Sequence, residues 1–192
     1  ITGSVKSGFE FYSHFGGGNI KACEFDPALS VHVSFDFNVS PYITATLSHV
    51  RQVGVEFHVE TFKEFTLENP YNQTEHLSGA IVRYLDEKDF KGQVFIYGDA
   101  SGSNANTVVS RNNYDVIAQV MAKYLSSASW LVPRSNPRLK ARREFINKVL
   151  AGGWHIKLFI DPTCKKTIED FQNVLEALDG GKLKQRVKDS DT

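Results

Sequence analysis

The order in which hydrophobic periodicity changes along the chain is the feature that most constrains its fold. In the first part of the sequence, apolar and polar residues alternate with a period of two, which is typical of half-buried β-strands. This alternation predicts strands over residues 31–37, 42–50 and 54–65. Only Arg51 to Val53 separate the second strand from the third, so we expect a hairpin between them.

After the third strand the period changes, and helices alternate with strands. Thr74 is a candidate N-cap for the first helix, and the apolar run at residues 93–97 is typical of a strand buried on both faces. The predicted helices are 74–85, 114–126, 137–152 and 163–178, and the further predicted strands are 129–133 and 155–160. Three antiparallel strands followed by this alternation predict an α/β fold, an RNase H-like mixed sheet flanked by helices and extended by one strand and one helix.

The 192 residues suit one domain with one sizeable core. Residues 1–30 are rich in glycine and aromatic residues and are interpreted as a lead-in or linker segment, and residues 31–192 as the domain. The segment at the start has no apolar core of the kind that a signal peptide needs. Cys23 and Cys164 lie far apart without metal-ligand spacing, which indicates two reduced thiols.

Two aspartates occupy positions that a sheet of this order would bring together. Asp36 lies near the end of the first strand, and Asp99 directly follows the strand at 93–97. The first and fourth strands should be parallel neighbours, and their carboxyl ends then meet at the crevice where such sheets bind ligands. Two close carboxylates favour a bound cation, and Mg²⁺ accepts a few carboxylates together with water and phosphate oxygens. A single aspartate at a strand end is more often a turn or cap residue than a metal ligand, and it is the pair at adjoining strand ends that makes the ligand interpretation comparable.

The flanking glycines, Gly98 and Gly102, are expected to let the backbone approach a phosphate or a metal closely. Two divalent ions about 3.5–4 Å apart are the arrangement that catalyses in-line phosphoryl displacement. The two carboxylates therefore predict a phosphoryl-transfer site with two ions of Mg²⁺ or Mn²⁺.

Positive charge is concentrated in one segment although the net charge is zero. Between Arg134 and Lys166 there are nine Lys or Arg residues and only two acidic ones, Glu144 and Asp161. Such a segment fits a surface that faces a polyanion, and a solvated helix face is the alternative interpretation. The candidate DNA-binding residues are Arg134, Arg138, Lys140, Arg142 and Arg143. Trp130 and Trp154, which flank the basic helix, are expected in the core.

Four motifs in order resemble those of one family. They are SFDFNVSP (34–41), GDASG (98–102), VPRSNPRLKARREFINKVL (132–150) and IDPTCKKTIEDF (160–171). Together they resemble the C-terminal nuclease half of the large terminase subunit of tailed phages and prophages, over about residues 30–190.

The resemblance implies an RNase H-like nuclease that cuts concatemeric double-stranded DNA during packaging. Asp36 matches the catalytic aspartate of the first strand, and Asp99 matches the acid after the fourth. The partners that it implies are DNA, an ATPase domain, the small terminase subunit and the portal, in the host cytoplasm during virion assembly. The sequence has no GxxxxGK[ST] loop, so ATP-driven translocation is not expected of this chain by itself.

The family's third acid lies in a C-terminal His-x-x-Asp-Ala motif, which this sequence does not contain. We therefore expect a fragment truncated before that motif, with weakened metal binding and weak or no cleavage. Asp161 and Asp170 are expected to be a strand-end residue and a helix-surface residue. Asp189 and Asp191, in a polar tail, are poor substitutes for the missing acid.

Three other interpretations stay open. Another RNase H-like enzyme, such as a resolvase or transposase, would require a third acid within the chain and a target-recognition module. A nucleotide-binding relative of the actin or sugar-kinase type would require a glycine-rich loop after the first strand, where Asn38 to Pro41 stand instead. A non-catalytic module that docks on DNA or the portal is a hypothesis of a different class.

Overall fold

The computed structural model describes residues 10–38, 40–103 and 111–177, together with the backbone of residues 182–183. Its centre is a five-stranded mixed sheet with the order β4-β1-β2-β3-β5. The strands are β1 (Val31–Asp36), β2 (Tyr42–Val53), β3 (Glu56–Glu68), β4 (Val94–Gly98) and β5 (Ile156–Ile160). The helices are α1 (Thr74–Glu87), α2 (Asn113–Val120), α3 (Leu139–Leu150) and α4 (Lys165–Asn173). A separate two-stranded ribbon consists of β6 (Leu175–Glu176) and β7 (Lys182–Leu183).

Strand directions confirm the predicted mixed sheet. β2 pairs antiparallel with both β1 and β3, whereas β4 is parallel to β1 and β5 is parallel to β3. The carboxyl ends of β1, β3, β4 and β5 therefore lie at the same end of the sheet. The predicted hairpin is present, but its turn lies at Gly54 and Val55, where Gly54 has a φ of 61° that suits glycine.

The main core lies on the sheet face that α1 and α2 cover. β1 shows the predicted alternation, because Val31, Val33 and Phe35 are buried there while Ser34 and Asp36 are exposed on the opposite face. The other buried members of this core are Ile43, Ala45, Leu47, Leu77, Ile81, Leu85, Val94, Ile96, Ile117 and Met121. Because side chains alternate along a strand, the polar residues Ser34 and Asp36 lie on the side of the sheet away from α1 and α2.

A second, smaller cluster packs on the opposite face, near β5 and α4. Phe15, Ile160 and Cys164 are buried there, and the ring of Phe15 lies 4.9 Å from that of Phe171. The segment at 10–30 also makes a bridge from Ile20 to Ile160, so its described part packs on the domain. The domain boundary at residue 31 stays a prediction.

Several predicted boundaries were wrong. The strand predicted at 129–133 is one bridge from Trp130 to Ile96, because Pro133 cannot continue a ladder. The helix predicted to reach residue 178 ends at Asn173, because the extended Val174 accepts a bond from the backbone N–H of Phe11. Gln73, not Thr74, is the N-cap of α1.

The basic helix predicted over residues 137–152 is shorter at both ends and runs from Leu139 to Leu150. Trp154, which was expected in the core, is 60% exposed. Among the described residues, no helix is both long and apolar enough to cross a membrane.

His49 is fully buried and links the segment at 10–30 to β2. The backbone N–H of Asp26 donates to Nε2, so Nδ1 carries the proton and donates to the carbonyl of Ser30, each at 2.9 Å. The ring also stacks on Phe62 at 4.4 Å. Burial lowers the pKa of His49, and the backbone acceptor at Ser30 only partly opposes this.

We expect the free energy of unfolding to fall as the pH is lowered from 7.5 to 5.5. Because the pKa of His49 is depressed in the folded state, the unfolded chain binds the proton first once the pH falls below about 6.5. His32, whose pKa burial also lowers, contributes in the same direction. Urea unfolding at the two pH values measures the loss, and the loss should be smaller in His49→Gln, which cannot titrate. A pH-independent free energy of unfolding over this range would contradict the prediction.

Candidate metal centre

The structure brings Asp36 and Asp99 to adjacent positions at one end of the sheet. Phe35 of β1 is paired with Gly98 of β4 in parallel register, and each aspartate is the next residue of its chain segment. Neighbouring strands lie about 4.8 Å apart, and residues at matching register positions share a face. Both aspartates are exposed, and both line one groove on the sheet face away from α1 and α2.

The backbone at Asp99 is held from two sides. Its carbonyl accepts a hydrogen bond from the Tyr114 hydroxyl at 2.8 Å, and burial together with the charge of Asp99 raises the pKa of Tyr114 to about 12. On the other side, the backbone N–H of Ala100 donates to Asn136 Oδ1 at 2.8 Å. Asn136 thus ties the loop before α3 to the residue that follows Asp99.

The glycines around Asp99 accommodate aromatic rings. A Cβ on Gly98 would lie 2.5 Å from the Tyr114 hydroxyl oxygen, and one on Gly102 would lie 2.5 Å from Cε2 of Phe37. A side chain at either position would therefore collide with a ring that helps to hold the end of β4. These contacts give both glycines a packing role, and the close approach of a phosphate or a metal to this backbone stays a prediction.

The groove runs between the sheet and helices α3 and α4. Ser34, Thr44 and Thr46 lie along its sheet side, and Arg142 and Asp170 line it from the helices. Hydroxyls, carboxylates and a guanidinium make this a polar surface able to contact an anionic substrate or a hydrated cation.

Arg142 is the candidate DNA-binding residue that lies nearest to the aspartates. Its Nη1 is 3.5 Å from Asp99 Oδ1, and the two side chains are 46% and 50% exposed. Lys140 pairs with Glu144 at 4.0 Å. Arg142 thus sits where it can contact either a carboxylate or a substrate phosphate.

The other three candidates divide into two kinds. Arg143 forms an ion pair with Glu176, with both side chains about 30% exposed. Arg134 and Arg138 are exposed and have no acidic partner within residues 10–38, 40–103 and 111–177. The five residues are therefore distributed over different surroundings and do not form one cluster.

A third acid is not assembled with the first two in the described ranges, where no group of three or more His, Cys, Asp or Glu side chains could hold a metal ion. Asp161 has a structural role, since its carboxylate accepts hydrogen bonds from the backbone N–H groups of Cys23 and Thr163 at 2.9 Å each. Asp170 is on the surface of α4, as expected, but on the side that lines the groove. Asp189 and Asp191 lie outside the described residues.

Glu64 is a structurally important residue that the sequence did not single out. Its carboxylate accepts hydrogen bonds from the backbone N–H groups of Lys166 and Thr167, at 2.9 and 2.8 Å. It therefore caps the first turn of α4 and complements the positive end of the helix dipole. Because Glu64 is on β3, this contact fixes where α4, and with it Asp170, lies over the sheet.

The residues present fit a divalent cation of the Mg²⁺ type. Such ions bind through one or two carboxylates and keep several waters, which the substrate phosphate can later replace. Asp36 and Asp99 supply two exposed carboxylates from a rigid sheet, and the neighbouring Ser34 and Thr44 hydroxyls can contact bound water.

No family model and no curated protein matches the sequence, whereas several solved structures share its fold. The nuclease domain of the bacteriophage P22 large terminase superposes with a TM-score of 0.64 at 12% identity, covering 91% of this chain and 84% of that one. The large terminase nuclease domain of bacteriophage SPP1, solved with bound Mn, gives a TM-score of 0.50 at 12% identity, covering 85% and 83%.

A longer protein also matches. The large terminase of a thermophilic bacteriophage, solved in complex with ADP, gives a TM-score of 0.60 at 15% identity over 92% of this chain. This chain spans only 41% of that protein. The fold of this chain is thus that of the nuclease domains of phage large terminases.

Proposed function

We propose that this chain is the metal-dependent endonuclease domain of a phage DNA-packaging terminase, which cleaves concatemeric double-stranded DNA. The observation that carries the proposal is the placement of Asp36 and Asp99 at the carboxyl ends of two adjacent parallel strands, where both line one open groove. The shared fold of the terminase nuclease domains supports it, and the Mn bound to the SPP1 domain supports a divalent metal.

Asp36 and Asp99 would hold the ions, which we expect to be two of Mg²⁺ or Mn²⁺. When bound, such ions supply the positive charge that activates an attacking water and stabilises the leaving 3′ oxygen. The pairing of β1 with β4 brings the backbones of Asp36 and Asp99 close together, and Tyr114 and Asn136 hold the backbone around Asp99 in place. Asp36 and Asp99 would thus form a negatively charged metal-binding site on an ordered backbone.

The exposed cations near the groove would bind the DNA backbone. Arg134, Arg138 and Lys140 are all exposed around the start of α3, whose residues Leu139 and Arg142 line the groove. Contacts from such residues to phosphates position a duplex without reading its sequence, and they weaken as salt increases. This suits an enzyme that must cut packaged DNA irrespective of sequence.

The remaining parts of the proposal concern the longer protein. Because this chain spans about two fifths of the large terminase from the thermophilic bacteriophage, we propose that it works joined to an ATPase domain. The small terminase subunit and the portal would be its further partners, in the cytoplasm of the host cell.

The proposal is tested by cleavage of a supercoiled plasmid with Mn²⁺, Mg²⁺ or EDTA, and by calorimetric titration of Mn²⁺. Nicked or linear product that depends on the metal, together with Mn²⁺ binding, supports the nuclease. The titration makes the test independent of turnover, and a second protein extended past Thr192 tests whether a further acid raises the rate. If neither protein binds a divalent ion or cuts DNA, the proposal is wrong.

Replacing Arg142 by alanine should tighten Mn²⁺ binding and slow cleavage. The guanidinium competes with the cation for Asp99, and half-exposed pairs of this kind contribute about 0.2–1 kcal/mol, so affinity should rise by up to about fivefold. Cleavage should fall because the phosphate loses a positive contact. Calorimetry and the plasmid assay measure the two effects, with Arg83→Ala on α1 as the control. Unchanged or weaker Mn²⁺ binding would show that Arg142 does not compete with the metal.

A further inference from the structure

The two sides of α3 have different surroundings. Arg143 and Asn147, one turn apart, face the segment at 10–30 and the β6 strand. Arg143 pairs with Glu176, and the Asn147 amide donates to the carbonyl of Phe11 at 2.8 Å and accepts from the backbone N–H of His14 at 3.3 Å. This side of the helix is occupied by contacts within the domain.

The other side is exposed and both basic and aromatic. Arg138, Arg142 and Phe145 follow one another at helical spacing, and Lys148 lies one turn beyond Phe145. The Lys148 ammonium lies 4.7 Å from the centroid of the Trp154 ring. We call these five residues, Arg138, Arg142, Phe145, Lys148 and Trp154, the α3 ridge.

The α3 ridge connects the groove to the opposite end of the sheet. Arg142 contacts Asp99, whereas Trp154 lies two residues before β5, whose first residue, Ile156, is at the end of the sheet away from Asp36. From Arg138 to Lys148 the helix rises about 15 Å, which is the rise of roughly four base pairs of duplex DNA. The ridge thus has the length to contact several successive phosphates.

Trp154 is held in an exposed position by an unfavourable backbone conformation. Its φ of 62° is in the left-handed region, which bulky residues rarely adopt. It follows Gly152 and Gly153, and a Cβ on Gly153 would lie 2.8 Å from the carbonyl oxygen of Lys148. An aromatic ring that is 60% exposed does not gain from this conformation through core packing. Such an outlier supports a hypothesis of binding.

The positive charges of the α3 ridge indicate what kind of molecule it binds. Arg138 and Lys148 have no acidic side chain within 4.0 Å in the described part of the chain, and the acidic partner of Arg142 is the candidate metal ligand Asp99. Three cations on one exposed edge fit a polyanion such as the phosphate backbone of a duplex better than a basic or apolar protein surface.

We propose that the α3 ridge is the track along which duplex DNA lies as it enters the groove. Arg138 and Lys148 bind phosphates. Arg142 lies at the end of the ridge where the DNA is cut, beside Asp99, and Trp154 packs against the DNA backbone at the other end, about one helix length from Arg142. The inference rests on the proposed function for its substrate and adds two contact residues, Lys148 and Trp154. It also assigns Arg143 to packing.

The test measures binding of a fluorescent 30-base-pair duplex in EDTA, so that it does not depend on metal or cleavage. Lys148→Gln should weaken binding about threefold and reduce the slope of log affinity against log salt by about one. Trp154→Ala should weaken binding, and Trp154→Phe should restore most of the affinity. Arg83→Gln, which removes one exposed charge from α1 on the other face of the sheet, should bind like the unsubstituted protein.

A spectroscopic measurement keeps the proposal testable if a substitution disturbs folding. In Trp130→Phe, Trp154 is the only tryptophan, and its emission should change on titration with duplex in EDTA. Unchanged emission, together with unchanged affinity in Lys148→Gln and Trp154→Ala, would overturn the track and would indicate a surface that faces a protein. Intact Mn²⁺-dependent cleavage alongside that result would contradict the track but not the proposed nuclease. Binding along the α3 ridge without any cleavage would support the track and contradict the nuclease.

Discussion

Replacing Asp36 or Asp99 by asparagine should reduce metal-dependent cleavage by at least about 100-fold, the effect of removing one preorganised electrostatic group from an active site. Asparagine keeps the size of the side chain and an acceptor oxygen, so Asn136 and Tyr114 should still hold the backbone beside Asp99. What is lost is the negative charge, so Mn²⁺ affinity should fall by at least about tenfold. Plasmid cleavage and calorimetry measure the two losses.

The control for these variants is Asp89→Asn. Asp89 is 86% exposed, lies between α1 and β4, and has a φ of 48° that asparagine tolerates well. Its substitution should leave both Mn²⁺ binding and cleavage unchanged. If Asp36→Asn and Asp99→Asn behave like this control while their melting temperatures are unchanged, the nuclease proposal is wrong. Loss of DNA or portal binding alone would then favour the docking module.

Short-range patterns were sufficient to predict the placement of these two aspartates. The alternation of Val31, Val33 and Phe35 predicted which face of β1 is buried, and the structure has that face in the core. The apolar run before Asp99 predicted a buried strand, and the order of the elements predicted that this strand is parallel and adjacent to β1. The parallel pairing of β1 with β4 confirms this. The roles of the two aspartates as metal ligands stay predictions.

Features that depend on contacts distant in sequence could not be predicted in this way. Asp170 faces the groove because Glu64, 102 residues before Lys166, caps α4 and fixes its position. Trp154 is exposed because the turn through Gly152 gives it a left-handed backbone conformation, which hydrophobic periodicity does not encode. In both cases the side chain's direction is set by tertiary structure rather than by local pattern.

The packing of the segment at 10–30 could likewise not be predicted from the sequence, since it depends on hydrogen bonds to β5, which lies more than 120 residues further along the chain. The backbone N–H of Lys21 donates to the carbonyl of Ile160 at 3.2 Å. The side chain of Asn19 donates to the carbonyl of Leu158 at 3.0 Å. These bonds place the segment alongside β5, where it covers the exposed edge of the sheet.

Phe15→Ala should lower the free energy of unfolding by about 3 kcal/mol or more, because the buried ring leaves a cavity that the surrounding structure fills only in part. The side chain is 3% exposed and packs in one cluster with Ile160, Cys164 and Phe171. These residues come from β5 and α4, so the loss should reach the helix that carries Asp170. Urea denaturation monitored by circular dichroism gives the free energy.

Tyr71→Ala provides the matched control, since it removes an aromatic ring that is 61% exposed and should change stability by no more than about 0.5 kcal/mol. A large difference between the two variants would make the segment at 10–30 a structural part of the domain, because a flexible linker would not contribute to the free energy of unfolding. Equal stabilities would mean that the cluster around Phe15 contributes little and that the domain begins at β1. The same comparison in the Mn²⁺ titration separates stability from metal binding, because Phe15 does not line the groove beside Asp36 and Asp99.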